Sequence, residues 1–146
     1  MKVIKENFDP VREFQAKWIT QKIDKAGINY LENFGFYLCD KKSVSDRYPG
    51  YAAVTVSQIR NVFGEIKRIA SGEENPNWDT DFYLLRPKIA YNAARVLAKK
   101  QKSRIKDFKT VLEKAHNEVQ ERKHLDNFAK FVEGIVAYHK VYGGKE

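Results

Sequence analysis

The chain has 146 residues, with 27 Lys and Arg against 19 Asp and Glu, and a formal charge of +8. That length suits a single domain, 1–146, able to bury about 70% of its unfolded surface, and the 42% hydrophobic content argues against disorder. A single cysteine, Cys39, excludes an internal disulfide framework and a Cys-rich zinc site.

From the N-terminus, Met1 to Glu6 carry no apolar leader, and no later run approaches the roughly 20 apolar residues that span a bilayer. The expectation is a cytoplasmic, basic domain with no membrane partner. Asp9-Pro10 reads as an N-cap followed by proline at the first helical position. Val11, Phe14, Trp18, Lys22 and Ile23 then keep a three-four rhythm, with Gly27 a candidate stop. The rhythm resumes at Tyr30, Leu31, Phe34 and Leu38, so one long helix and two helices both fit. Residues 39–53 have the composition of a loop, and Tyr51 to Val56 is the only β-branched stretch.

Thr55-Val56-Ser57-Gln58 has the form of a capping box and opens a helix through Ile59, Val62, Phe63, Ile66 and Ile69. Ser71-Gly72 and Asn75-Pro76-Asn77 break it. Asp79 or Thr80 then caps a helix through Phe82, Leu85, Ile89, Ala93 and Val96, in which Pro87 predicts a kink or a late start. A fourth helix runs from Ile105 to Val119. A last one runs from Leu125 to Tyr142, stopped by Gly143-Gly144. The fold class is all-α, a compact bundle of about five helices. The apolar arc of the last helix covers about half its circumference. That suits a central helix, or one whose outer edge, with Phe131 and Tyr138, meets another subunit.

The cations form stripes. Arg60 and Lys67 fall about 20° apart on the flank of their helix, with Gly64 between them. A polyphosphate strand can approach bare backbone there; equally, the glycine can admit a neighbouring helix. Lys88, Asn92, Arg95 and Lys99 occupy a sector of about 60°. Cations one turn apart repel each other, and an anionic partner relieves that repulsion. The alternative is a solvated face whose long stems cover the core edge. Residues 99–106 are dense in cations and free of acids, which fits a solvated connector or a nucleic-acid contact. Phosphate contacts without a base-reading device imply sequence-independent binding.

No catalytic constellation is evident. A P-loop and a dinucleotide glycine fingerprint are missing. Cys39 reads as a buried free thiol. His116, His124 and His139 lack metal-ligand spacing, and His139 reads as a hydrogen-bonded core or interface residue. Glu73, Glu74, Asp79 and Asp81 suit a solvated loop and the start of the next helix. No metal or other cofactor is expected.

Three stretches carry a family resemblance. Ser57 to Lys67 is similar to an "Ile/Leu-Arg-x-Phe-x-Glu-Ile" helix, and Leu85 to Arg95 to "Leu-x-Pro-Lys-Leu-Ala-Tyr-x-x-x-Arg". Phe128 to Gly144 is similar to "Phe-x-x-Phe-x-x-x-Ile-Val-Ala-Tyr-His-Lys-x-x-Gly-Gly". In this order and spacing they resemble the small subunit of type III-A CRISPR effector (Csm) complexes, which act in antiviral defence. The resemblance covers the chain from about residue 55 to its end. It implies a non-enzymatic helical subunit that self-associates into a filament beside other Csm subunits. Such a subunit contacts the guide RNA–target RNA duplex through basic side chains. Arg60 and Arg95 match motif arginines and Lys88 the motif lysine; with Lys67, Arg68 and Lys99 they make the candidate RNA-binding set. The sequence departs from the pattern at Gly64 and across Phe8 to Tyr51. The main alternative is a helical protein–protein adaptor without direct RNA contact. A helix-turn-helix DNA regulator and a ribonuclease using His116 or His124 stand behind it.

Overall fold

A computed structural model describes residues 5, 7–39, 52–72 and 76–143. These fold into seven helices: α1 (Pro10–Glu13), α2 (Lys17–Thr20), α3 (Lys25–Cys39), α4 (Val56–Ser71), α5 (Trp78–Lys99), α6 (Ile105–Asn117) and α7 (Arg122–Val141). The all-α class agrees with expectation. The number of helices exceeds about five because the N-terminal stretch divides.

The division follows from local caps. Asp9 Oδ1 accepts from the Arg12 N–H at 3.1 Å, and Pro10 takes the first helical position of α1. That helix ends at Phe14, which is extended at ψ 139°. Asp24 Oδ1 accepts from the Gly27 N–H at 2.8 Å and from Trp18 Nε1 at 2.9 Å. One carboxylate thereby caps α3 and anchors the indole of α2. The Gly27 N–H, and after it Lys17, hold the Asp24 carboxyl below its ordinary range. Gly27 therefore lies in the first turn of α3 rather than stopping a helix. A Cβ there would sit 2.5 Å from Ile23 Cδ1.

The capping box at Thr55 is present: the Thr55 hydroxyl accepts from the Gln58 N–H at 3.2 Å, and Gln58 Oε1 accepts from the Thr55 N–H at 2.9 Å. α4 buries Ile59, Val62, Ile66 and Ile69. α5 begins at Trp78, so Asp79 and Thr80 sit inside its first turn instead of capping it, and Asp79 and Asp81 there favour the helix dipole. The helix is unbroken through Pro87 and does not start late. Pro87 is exposed, so the helical hydrogen bond it removes is lost on the outer face. α7 stops at Val141, and Gly143 follows at φ +87°.

α7 is the central helix, packed against α2, α3 and α4, with α3 its main partner. The α3 and α7 backbones meet closely at Gly35, where a Cβ would lie 2.5 Å from Tyr138 Cβ and 2.6 Å from the His139 nitrogen. Phe131 is 1% exposed and its ring lies 5.5 Å from Phe14, 5.9 Å from Tyr30 and 6.4 Å from Trp18. The wide apolar arc is thus used inside the bundle: Phe131 belongs to the core and is no association edge, and half-buried Tyr138 packs on α3. Arg122, in the first turn of α7, donates to the Gly72 carbonyl at 3.3 Å and to that of Ala70, fastening the end of α4.

The β-branched stretch contributes one isolated parallel bridge, Ala52 to Ser103, next to Val54, whose N–H donates to the Leu38 carbonyl at 2.6 Å. Most of the loop expected over 39–53, together with Glu73, Glu74, Asn75 and Gly144, lies outside the described residues.

Candidate nucleic-acid interface

α4 and α5 lie side by side, with α7 and α6 on their outer flanks. Asn92 Nδ2 donates to the Gln58 carbonyl at 2.7 Å and fixes the register of the pair. Arg60, Lys67, Arg68, Lys88, Arg95 and Lys99 are all exposed on these two helices.

They do not form one line. A groove between the helices comprises two adjoining hollows. One, of about 340 Å³, is lined by Asn61, Glu65, Lys88, Tyr91, Asn92 and Arg95, among others. The second, of about 430 Å³, shares Asn61, Asn92 and Arg95 and adds Lys99 and Lys100. From Lys88 to Lys99 the α5 rim runs about 16 Å. Arg60 and Lys67 sit roughly 130–150° round α4 from the groove side. They form a separate ridge.

Between Arg60 and Lys67 the surface is bare. Among the described residues a Cβ on Gly64 would meet nothing within 4 Å, so this glycine admits none of the described helices. Lys67 Nζ stands 5.5 Å from the Phe63 ring centroid, which steadies its stem.

On the groove side Glu65 gathers two of the cations. Its Oε2 accepts from Arg68 Nη2 at 2.9 Å and Lys88 Nζ at 3.1 Å, and these bonds, Arg68 first, hold the carboxyl below its ordinary range. The pairs are solvent-exposed, with Lys88 and Arg68 side chains 52% and 56% exposed. Such pairs contribute only about 0–1 kcal/mol. A phosphate can replace the carboxylate at small cost, so Lys88 and Arg68 stay available to an anion. Arg95 leans on its neighbour, with its guanidinium 5.9 Å from the Tyr91 centroid.

The basic run at 99–106 splits. Lys99, Lys100, Lys102 and Lys106 are exposed, but Arg104 is 1% exposed. Its Nη1 donates to the Tyr37 carbonyl at 2.7 Å and its guanidinium lies 4.7 Å from the Tyr37 ring. The Tyr37 hydroxyl in turn donates to Asp107 at 2.7 Å. Arg104 is therefore a structural cation, although its neighbours in the sequence face solvent.

The histidines serve the fold. His116 is buried, stacked on Phe82 at 3.9 Å, with Nε2 2.7 Å from the Phe82 carbonyl. His139 is fully buried with Nε2 2.6 Å from the Val54 carbonyl. A carbonyl only accepts, so both rings carry their proton on Nε2. Burial holds both pKa values below the ordinary histidine range. Cys39 is a buried free thiol within 3.4 Å of the Phe36 and Tyr142 carbonyls. Among the described residues no group of His, Cys, Asp and Glu is placed to hold a metal, and no helix is long and apolar enough to cross a membrane.

Asn61, Tyr91 and Lys100 line the groove and were not in the candidate set. Their signal was weak: Tyr91 lies one turn from Lys88 and Arg95 and the other two stand next to a candidate cation, but only the packed pair of helices puts α4 and α5 residues together. Comparison with known proteins adds a match of residues 42–145 to the family described as Csm2 Type III-A. The chain is also 30% identical over 102 residues to a Streptococcus thermophilus protein named CRISPR system Cms protein Csm2, covering 66% of this chain and 79% of that one.

Proposed function

We propose, from the premise that the chain belongs to the Csm2 family and is a small subunit of the type III-A Csm effector, that it holds RNA by the sugar-phosphate backbone. In this reading it performs no chemistry of its own and works in the cytoplasm, in antiviral defence. In RNA-guided recognition base pairing reads the sequence, and protein has only to grip backbone and shape. The guide–target duplex is the RNA it grips.

One observation carries the reading: six cations stand exposed on a single helix pair, and the pairs that Glu65 makes with two of them, Arg68 and Lys88, are themselves exposed. A second reading, docking of other Csm subunits or of further copies, is favoured at one place. Tyr83 and Leu84 on the outer face of α5 are 65% and 55% exposed. Two large apolar side chains held side by side in water suit a protein contact, as larger exposed apolar patches do. The two readings use different residues.

The test is RNA binding across a salt series. Log affinity should fall with log salt at about 0.7 per phosphate neutralised, with little dependence on sequence. The combined Lys88→Ala, Arg95→Ala, Lys99→Ala variant should lower that slope by about 2 while its circular dichroism stays native. Affinity that ignores salt would refute backbone binding and leave the docking role.

A further inference from the structure

The α4–α5 groove changes character along its length. At one end Val62, Pro87 and Tyr91 supply apolar wall, with Asn61, Glu65 and Asn92 at the edge. The other end has Ser57, Gln58, Lys99 and Lys100, and no aromatic ring. Tyr91 is 66% exposed, with the Arg95 guanidinium against its ring. Gripping phosphate needs cations and no tyrosine. A hollow of about 340 Å³ beside an open aromatic face lies within the range of small-ligand sites, about 300–1,000 Å³. Four cations, Lys88, Arg95, Lys99 and Lys100, border the groove, and the Glu65 carboxylate in its lining is shared between Lys88 and Arg68. Apolar face, hydrogen-bonding edge and cationic border together suit a nucleotide rather than an apolar helix.

We propose that the Tyr91 end of the groove receives one unpaired base of the bound RNA, stacked on the tyrosine ring, while Arg95, Lys99 and Lys100 hold the adjoining phosphates. Asn92 spends its amide nitrogen on the Gln58 carbonyl, which leaves its oxygen as an acceptor toward the base edge. Stacking is tolerant of sequence, because every base has a π-face. A base inside a helix cannot reach the ring, so the site selects a single strand or a base turned out of a duplex. The proposal rests on the RNA-holding reading and adds to it a contact that backbone binding does not require.

The test uses the full chain and a single-stranded RNA carrying 2-aminopurine, beside a matched strand with abasic positions. Wild type and Tyr91→Phe should quench the fluorophore and bind the intact strand about tenfold more tightly than the abasic one. Tyr91→Ala should lose both the quenching and the preference, with an unchanged salt slope. Equal affinity for intact and abasic strands, without quenching, would overturn the stacking site and leave backbone binding intact. No RNA binding by wild type would overturn both. Loss of subunit association in Tyr91→Ala, with RNA binding and quenching untouched, would assign the face to a protein instead.

Discussion

Gly64 is a position the fold does not use. Glycine inside a helix costs about 1 kcal/mol against alanine, and nothing among the described residues fills the gap it leaves. Gly64→Ala should raise stability by about that amount, seen as a melting temperature about 2–4 °C higher. The same variant should bind RNA more weakly, because the methyl group would stand between the strand and the backbone flanked by Arg60 and Lys67. A filter-binding titration beside the melt separates the two effects, and unchanged affinity would remove Gly64 from the contact. At this scale the exposed cations were legible: their angle on an amphipathic helix already turns them from the core. Arg104 was not, because a cation-rich run reads alike whether all its members are solvated or one turns inward. What draws Arg104 inward is the Tyr37 carbonyl, 67 residues away in sequence.

Among the elements, α7 shows what patterning can and cannot tell. Its half-circumference of apolar residues allowed a buried trunk or a shared edge, and the packing of α2, α3 and α4 around it makes it the trunk. Phe131→Ala should therefore cost about 3–5 kcal/mol, read as a lower urea midpoint, and act on the fold before it acts on any assembly. A variant of native stability would place the ring at the surface. The helices α4 and α7 were readable because their start and stop signals, the Thr55–Gln58 box and Gly143, are local. The breaks between α1, α2 and α3 were not. The one before α3 is punctuated by Asp24, whose carboxylate caps the Gly27 N–H ahead of it, a local bond, and takes the Trp18 indole behind it, a contact that exists only after the chain has turned. The groove was half legible: periodicity marked its α5 rim, but the register that sets Asn92 against Gln58 is tertiary.

For the whole molecule, acid sensitivity follows from two histidines held neutral in the core. Their folded pKa values lie below the value of about 6.5 that they regain on unfolding, so the unfolded chain takes up protons first as pH falls. The associated stability is complete above about pH 6.5 and declines as pH drops toward the lowered folded values. A protonated His139 would also carry an N–H on Nδ1, which has no hydrogen-bond partner among the described residues. The urea midpoint should fall between about pH 7 and 5, and a His116→Gln, His139→Gln double variant should show a flatter profile over that interval. A wild-type midpoint that holds steady there would mean that neither ring resists protonation. Arg122 has a mechanical consequence. By bonding the last carbonyls of α4 from the base of the trunk, it makes a tie that carries load. On the proposed reading, tension on a strand seated along α4 would pass through that tie into α7, and a pull on the RNA would turn ridge and body together.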